Sequence, residues 1–300
     1  MSTGGIAVLG SANMDLVVTV DRAPGRGETV TGRTFTTVPG GKGANQALAA
    51  ARAGAAVRFL GAVGDDDFGR TVSTILRADG IDVSGLVTSA EPTGTAHITV
   101  DGDGDNSIVV VPGANGSLAA LTPEHRAGIE AADLLLLQLE LPLPLVAEAA
   151  AHARAAGVRT VLTPAPAVPL PSGLLGDVDV LVPNEHEAAL LAHTGDPVAA
   201  GHRLAAECGD VVVTLGSQGA VHIRGGDERR VPAFAVPAVD TTAAGDTFVG
   251  VLAASLAEQL PWEAAMRRAG AAAALSVQRF GASSSMPARG EIDAFLATGG

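Results

Sequence analysis

The chain has 300 residues, long for one simple layer and short for two full domains, so one large domain with an appendage is expected. Apolar residues make up 47% and charged residues 17%, which excludes a disordered chain and suits a buried α/β sheet. The formal net charge is −13 with no basic stripe, which argues against a nucleic-acid partner; an anion would have to be held locally, by backbone N–H groups, a few cations or a metal.

The opening stretch MSTGGIAVLGSANMD has no basic run and no long apolar core, so no signal peptide is expected. IAVLG at 6–10 is a short apolar run ending in glycine, a buried strand. DLVVTV (15–20) and ETVTGRTFTTV (28–38) read as further strands, with the turn-rich RAPGRG between them. GANQALAAARAG (43–54) reads as a helix closed by Gly54, VRFLGAVG (57–64) as a strand and FGRTVSTILRADG (68–80) as a helix. TGTAHITV (93–100) and NSIVVVPG (106–113) are two strands, and DGDGD between them is a strong hairpin signal. From about residue 115 strands and helices alternate: ADLLLLQLE, LVAEAAAHARAAG, RTVLTPAP, DVLVPNEHEAALLA, DVVVTLGSQGAVHI, a helix from about 245 to 260 and an alanine-rich helix ending near 278. Repeated βα units imply a parallel sheet covered by helices on both faces. The β-only stretches, 12–38 and 93–112, would form a small second sheet projecting from a main domain of residues 1–11, 39–92 and 113–300. Cys208 is the only cysteine, so no intrachain disulfide can form, which fits a reducing cytosol. No apolar run approaches the length of a membrane span.

Two segments carry chemistry. PGGKGANQ (39–46) lacks the glycine frame of a P-loop and of GxGxxG. Its glycines either let backbone approach a ligand or simply cap a helix, and Asn45 in the first turn can aim an amide at a hydroxyl. AVDTTAAGDTFVG (238–250) places Asp240 at a strand end, then Ala243, Ala244 and Gly245, then an apolar helix. N–H groups at that helix start, with the positive end of its dipole, make an anion site. Asp246 in the first turn is either an acid that steadies the dipole or a general base for a hydroxyl attacking a phosphoryl group docked beside it. In PNEHEA, Asn184 and Glu187 share a helix face; their oxygens suit Mg²⁺, or they form an N-cap with a first-turn acid. His186, beside them, is expected to face solvent. TLGSQG (214–219) alone is an ordinary strand–turn signal. The seven histidines show no metal-ligand spacing, and no Ser–His–Asp arrangement can be argued.

GGKGAN and DTTAAGDTF resemble the two signatures of the PfkB, or ribokinase-like, carbohydrate kinases. GSANMD, GAVGDDDFG, QLELP, TPAP, PNEHEA, TLGSQG and RFGASSSMP follow in the expected order over essentially the whole chain. Within the family the motifs are most similar to those of ribose kinases. The resemblance implies a doubly wound, mostly parallel α/β domain with a small β-sheet lid, often used for dimerisation. It implies phosphorylation of D-ribose at O5 by ATP, with Mg²⁺ and K⁺, in the cytoplasm. A kinase for a nucleoside, fructose or 2-keto-3-deoxy sugar acid, or a sensor without catalysis, are the alternatives; the carboxylate at Asp246 speaks against the sensor. A dinucleotide oxidoreductase lacks its glycine frame here.

Residue by residue, Asp246 resembles the catalytic base. Asn13, Asp15, Gly41, Lys42, Gly43, Ala44, Asn45 and Glu140, with Asp246, match the sugar site; Lys42 either touches ligand or orders its loop through carbonyls. Asn184, Thr214, Leu215, Gly216, Ser217, Gln218, Gly219, Ala244, Gly245 and Gly270 match nucleotide-binding positions, with Ala244 and Gly245 in the anion hole. Glu187 matches a water-mediated Mg²⁺ ligand. Asp240, Thr242, Ser276, Arg279, Gly281 and Ser285 match the positions that ring potassium, mostly through carbonyls. Three positions depart from the family: Ala244 stands where glycine is common, Thr163 where asparagine precedes PAP, and Gly270 where a larger polar side chain is usual near adenine, which would loosen base selectivity.

Overall fold

A computed structural model describes residues 5–299. In chain order the elements are β1 (Gly5–Leu9), β2 (Asn13–Thr19), β3 (Thr34–Gly40), α1 (Lys42–Arg52), β4 (Ala56–Gly64), α2 (Asp67–Ala78), β5 (Asp82–Ser89), β6 (Gly94–Val100), β7 (Asn106–Val111) and α3 (Pro123–Glu130). Then come β8 (Leu134–Leu137), α4 (Leu143–Ala156), β9 (Arg159–Leu162), β10 (Val180–Leu181), α5 (Glu185–Ala192), α6 (Pro197–Cys208), β11 (Asp210–Thr214), β12 (Ala220–Arg224) and β13 (Asp227–Val231). Helices α7 (Ala244–Ala257), α8 (Trp262–Ser276) and α9 (Arg289–Ala297) complete the described chain.

Nine strands form one sheet in the order β13-β12-β11-β10-β9-β8-β1-β4-β5. It is parallel from β11 to β5, and β12 and β13 add an antiparallel edge. Alternation splits its apolar runs between two cores. Ile6 and Val8 of β1 and Leu134 and Leu136 of β8 pack with α1, α7 and α8 on one face. Ala7, Leu9, Leu135 and Leu137 pack with α4 and α6 on the other. An unbroken LLLL run is what a strand covered on both faces requires. From β1 the order runs through β4 to β5 on one side and from β8 toward β11 on the other. The crevice beyond the carboxyl ends of β1 and β8 is therefore the topological switch point, where open α/β sheets bind ligands.

The second sheet has the order β3-β2-β6-β7, with β2 and β6 parallel and the two outer pairs antiparallel. Between β6 and β7, Asp101 Oδ1 accepts the N–H groups of Asp103 and Asp105 and fixes the turn expected from DGDGD. The strand expected over 28–38 is shorter and later, beginning at Thr34, because RGETVTGR before it follows an exposed, irregular path. Strands β5 and β13 and helices α3, α6 and α9 had no counterpart in the sequence reading. β5 (DVSGLVTS) carries a glycine and polar residues inside an edge strand and lacks a clean alternation.

Candidate functional site

The switch point collects residues from four elements. Asp246 lies in the first turn of α7 and is 9% exposed. Its Oδ2 accepts Asn45 Nδ2 at 3.1 Å and its Oδ1 accepts Gln46 Nε2 at 3.1 Å, both from the first turns of α1. The two helices meet closely because α7 carries Gly250: a Cβ there would lie 2.5 Å from the Gln46 carbonyl oxygen. Burial pushes the Asp246 carboxyl above its ordinary pKa; the nearby Lys42 ammonium and the two amide donors act against that rise.

The glycines of PGGKGANQ answer to protein neighbours. Gly41 is the N-cap of α1 at φ 91, a left-handed position, and a Cβ there would meet Asn13 N at 2.9 Å. A Cβ on Gly43 would lie 2.6 Å from the Gly10 backbone. On Gly40 it would strike the Asp15 carboxylate. These contacts press the start of α1 against the loop after β1, which carries Asn13 and Asp15 into β2.

Around that junction the sugar-site candidates form a connected set. Glu140 Oε2 accepts Ser11 Oγ at 2.5 Å and Lys42 N at 3.0 Å, and Lys42 Nζ stands 4.0 Å from Glu140 Oε1. Lys42, the only lysine, is raised in pKa first by Asp246 and further by Glu140, Glu187 and Asp15, against the opposing effect of burial. One ammonium thus serves four carboxylates. Asp15 is pushed up to about 6, by burial first and then by Glu140. Asn13 Oδ1 accepts Asn115 Nδ2 at 2.7 Å. Ala44 is buried behind Asn45, and its N–H bonds the Ser11 carbonyl. Asn45 Oδ1 is buried with no partner among the described residues, an acceptor available to a hydroxyl.

The loops before and after α7 and α8 are arranged differently. The Asp240 carboxylate accepts Thr242 N at 2.9 Å, Thr242 Oγ1 at 2.6 Å and Gly281 N at 2.8 Å, and its own N–H and that of Val239 bond the Val277 carbonyl. Segments 239–242 and 276–285 are thus stitched together. The carbonyls of Asp240, Thr242, Arg279, Gly281 and Ser285 accept no hydrogen bond among the described residues, whereas that of Ser276 accepts Arg279 N. Carbonyl oxygens without donors suit a monovalent cation, so this donor set fits K⁺, with Asp240 contributing by its carbonyl and Arg279 by its backbone; the Arg279 side chain pairs with Glu291.

One expectation at the anion hole needs correction. Ala243 adopts φ 56, and the Ala244 N–H turns back to the Thr241 carbonyl at 3.2 Å, so it is not a free donor. The N–H groups of Gly245 and Asp246 make no hydrogen bond among the described residues, and nothing lies within 4 Å of a Cβ built on Gly245.

Asn184 and Glu187 form a reciprocal capping box: Glu187 N donates to Asn184 Oδ1 and Asn184 N to Glu187 Oε2, each at 2.8 Å. Glu187 nevertheless senses Lys42 and Asp246, and burial raises its pKa. One oxygen remains for a water, so a hydrated Mg²⁺ fits beside it. His186 is exposed, as expected. Thr214 bridges to Asn184, the turn of Leu215, Gly216, Ser217, Gln218 and Gly219 follows, and a Cβ on Gly219 would collide with the 231–233 backbone. Beyond it Phe234 faces Gly270 on α8, with Arg267 over its ring. Among these nucleotide candidates a Cβ on Gly216 would meet open space and one on Gly270 only ordinary contact with Phe234.

Sequence reasoning missed four buried polar residues: Gln46, which bonds Asp246; Gln138, which bonds Gln46; Ser11, which bonds Glu140; and Asn115, which bonds Asn13. Gln46 and Ser11 adjoin quoted motifs; Gln138 sits in QLELP. A polar residue closing an apolar strand run, as Gln138 does after LLLL, was the available signal.

A family model described as "pfkB family carbohydrate kinase" matches residues 4–289. The chain is 45% identical to ribokinase of Bacillus subtilis over 297 residues, covering 97% of this chain and 99% of that protein. It is 43% identical to ribokinase of Haemophilus influenzae over 97% of this chain and 98% of that one. The structure of Arabidopsis thaliana ribokinase complexed with ribose and ATP superposes with a TM-score of 0.92 at 33% identity, covering 98% of this chain and 99% of that one. A buried carboxylate at a helix start, set at the switch point of a ribokinase-like sheet, is thus accompanied by near full-length similarity, and the chain belongs to the pfkB family of carbohydrate kinases.

Proposed function

We propose that the chain transfers the γ-phosphoryl group of ATP to O5 of D-ribose, giving D-ribose 5-phosphate and ADP. The observation that carries this reading is Asp246: a buried carboxylate, raised in pKa and held by two amides, beside two N–H groups that have no partner among the described residues. In this reading the carboxylate takes the O5 proton as O5 attacks phosphorus and the bond to ADP breaks. The N–H groups of Gly245 and Asp246 receive the negative charge of the phosphoryl oxygens. Asn13, Asp15, Asn45 and Glu140 hold the sugar hydroxyls, the α1 start from Gly41 to Ala44 forms the floor, and Lys42 balances the surrounding acids. The path of Asn184, 214–219 and Gly270 takes the nucleotide.

Mg²⁺, when bound, neutralises phosphate charge, and Glu187 would hold it through water. K⁺ fits the carbonyls of segments 240–242 and 276–285 and would order the start of α7. The second sheet acts as a lid, residues 12–38 and 93–112, over the domain formed by 1–11, 39–92 and 113–300. Its outer strand β7 exposes Ile108 and Val109 at 52% and 65%, with Phe35 at 64% on the opposite edge strand, which supports a homodimer through the lid. Among the described residues no helix is long and apolar enough to cross a membrane. The use of ATP, with a single buried cysteine, supports a cytoplasmic setting.

A coupled assay of ADP formation tests the reading with ribose, fructose, adenosine, a 2-keto-3-deoxy sugar acid and no sugar. Ribose should give the highest kcat/KM, require Mg²⁺, and be faster in K⁺ than in a bulky organic cation at equal ionic strength. A higher value with another acceptor, or ADP formation independent of sugar, overturns the assignment to ribose.

A further inference from the structure

The geometry points to Gln46 as the positioning residue of the catalytic base, holding Asp246 Oδ1 so that Oδ2 is the oxygen that receives the proton. This rests on the phosphoryl-transfer reading above and goes beyond it, because it divides the two carboxylate oxygens between a structural and a chemical task.

Gln46 is 0% exposed, so its amide must find all its partners inside the protein. It does so in one orientation. Its Oε1 accepts Gln138 Nε2 at 2.7 Å. Its Nε2 has two hydrogens, directed at Asp246 Oδ1, 3.1 Å away, and Thr163 Oγ1, 3.4 Å away. A flipped amide would set Oε1 against the carboxylate and leave the Gln138 amide facing another donor. The Asp246 carboxylate, which only accepts, therefore selects the Nε2 end of Gln46, and Gln138 Nε2 and Thr163 Oγ1 complete the bonds of that amide; Gln138 Oε1 itself has no partner among the described residues. The backbone is fixed too, since the Gln46 carbonyl lies against Gly250 of α7.

The other oxygen has different company. Oδ2 bonds Asn45 Nδ2, and the same amide leaves Asn45 Oδ1 buried without a donor. A hydroxyl arriving there finds Asn45 Oδ1 and Asp246 Oδ2 as adjacent acceptors, whereas Oδ1 is committed to a side chain with no solvent exposure. Thr163, which departs from the family's asparagine, gains a role on the same grounds: its hydroxyl occupies the second Gln46 hydrogen. The charged groups that bear on Asp246 are Lys42, Glu140, Asp15 and Glu187, and changes at Gln46 leave all four in place.

Three variants test the assignment: Gln46→Leu, which removes the donor at similar length, and Gln138→Leu and Thr163→Val, which release the amide without touching Asp246. The readouts are kcat and KM against pH, and titration of the Asp246 carboxyl by ¹³C NMR, assigned by difference from Asp246→Asn. Loss of a donor to a carboxylate raises its pKa, so the acid limb of kcat and the NMR titration should both move to higher pH. For Gln46→Leu, kcat near neutrality should fall about tenfold to a hundredfold, with KM for ribose changed by no more than about twofold. The two releasing variants should shift the same way by less. A limb and a titration that coincide with wild type in a folded Gln46→Leu overturn the assignment. Should that variant not fold, coincidence in both releasing variants does so. Failure of the ribose reading looks different: wild type then forms no ribose-dependent ADP, while the Asp246 titration still moves.

Discussion

Around Asp246, the first turns of α1 and the ends of β1 and β8 present buried side chains that are hydrogen-bonded, whereas segments 240–245 and 276–285 present several carbonyls and N–H groups that have no partner among the described residues. In the first region Gln46, Gln138, Asn13, Asn115 and Ser11 are buried and hydrogen-bonded. In the second, Thr242 and Gly245 are exposed, and the candidate atoms are carbonyls and N–H groups. The contrast separates two ways of making a site. The region proposed for the sugar and base is shaped by the folded core, so its geometry exists before substrate arrives. The region proposed for phosphate and cation offers backbone acceptors and donors, with the Asp240 carboxylate tying its two segments together. Substitutions should therefore act through different quantities in the two regions.

The largest effect belongs to Asp246 itself. Asp246→Asn should lower kcat by about 10² to 10⁴ while ribose binding, followed calorimetrically, persists. A near-wild-type kcat would remove this residue from the chemistry and the comparison with it.

Glycines provide the sharpest contrast. Gly43→Ala would place a Cβ 2.6 Å from the Gly10 backbone, where no flexible side chain can yield. It should cost about 1–3 kcal/mol of stability, or prevent folding, in line with overpacking. Gly245→Ala meets nothing within 4 Å and stands inside a helix start, so its Tm should stay level or rise slightly. Its methyl group would nonetheless stand beside the proposed phosphoryl position, so kcat should fall by about tenfold or more. Thermal unfolding and kinetics on both variants decide the matter. A destabilised Gly245→Ala, or a fully stable and active Gly43→Ala, would erase the distinction between the two regions.

This distinction also explains what could be read from the sequence. Within the strand–helix alternation after 115, β8, α4, α7 and α8 were legible because Leu134–Leu137 and the alanine-rich helices follow strong apolar patterns, whereas α3, α6, β13 and α9 were not. The site segments were legible because glycines and acids cluster at helix starts. Their reasons were less so: Gly40, Gly41 and Gly43 serve the contact between α1 and the loop after β1, a tertiary fact with no local signature. Gln46 and Gln138 lie 92 residues apart and look like ordinary polar residues until the sheet brings β8 beside β1. The orientation of the Ala244 N–H was illegible for another reason. It follows from the left-handed φ of Ala243, which alanine rarely adopts and which nothing in TTAAGD announces.

Within the sugar region, Asp15 should govern discrimination of the 2-hydroxyl. Its carboxyl lies among Glu140, Lys42 and Asp246, and a charge-assisted hydrogen bond from a sugar hydroxyl contributes about 1.5–3 kcal/mol. Wild type should therefore prefer ribose over 2-deoxyribose by about tenfold to a hundredfold in kcat/KM, and Asp15→Ala should lose most of that ratio. An unchanged ratio in the variant would leave Asp15 as a residue of the second sheet's hinge, not a sugar ligand.

The smallest effect concerns the same carboxyl in the protein without sugar. Its pKa, near 3.8 in an unfolded chain, is raised to about 6 by burial and by Glu140. A raised carboxyl favours the folded state most at low pH; that contribution is complete below about 3.8 and is lost as pH rises through about 6. Above that range the folded protein carries a partly buried charge that Lys42 shares with three other acids. Asp15→Asn removes the charge and keeps the shape, so it should stabilise the free protein by about 1–3 kcal/mol near pH 7.5, and by little near pH 4. The difference in Tm between variant and wild type, measured across that range, should grow with pH and shrink when ribose is added to wild type, because hydroxyl donors then satisfy the carboxylate. A variant less stable than wild type near pH 7.5 would mean that Lys42 and the surrounding backbone already stabilise the ionised form, and that the sugar region holds no unsatisfied charge for the substrate to relieve.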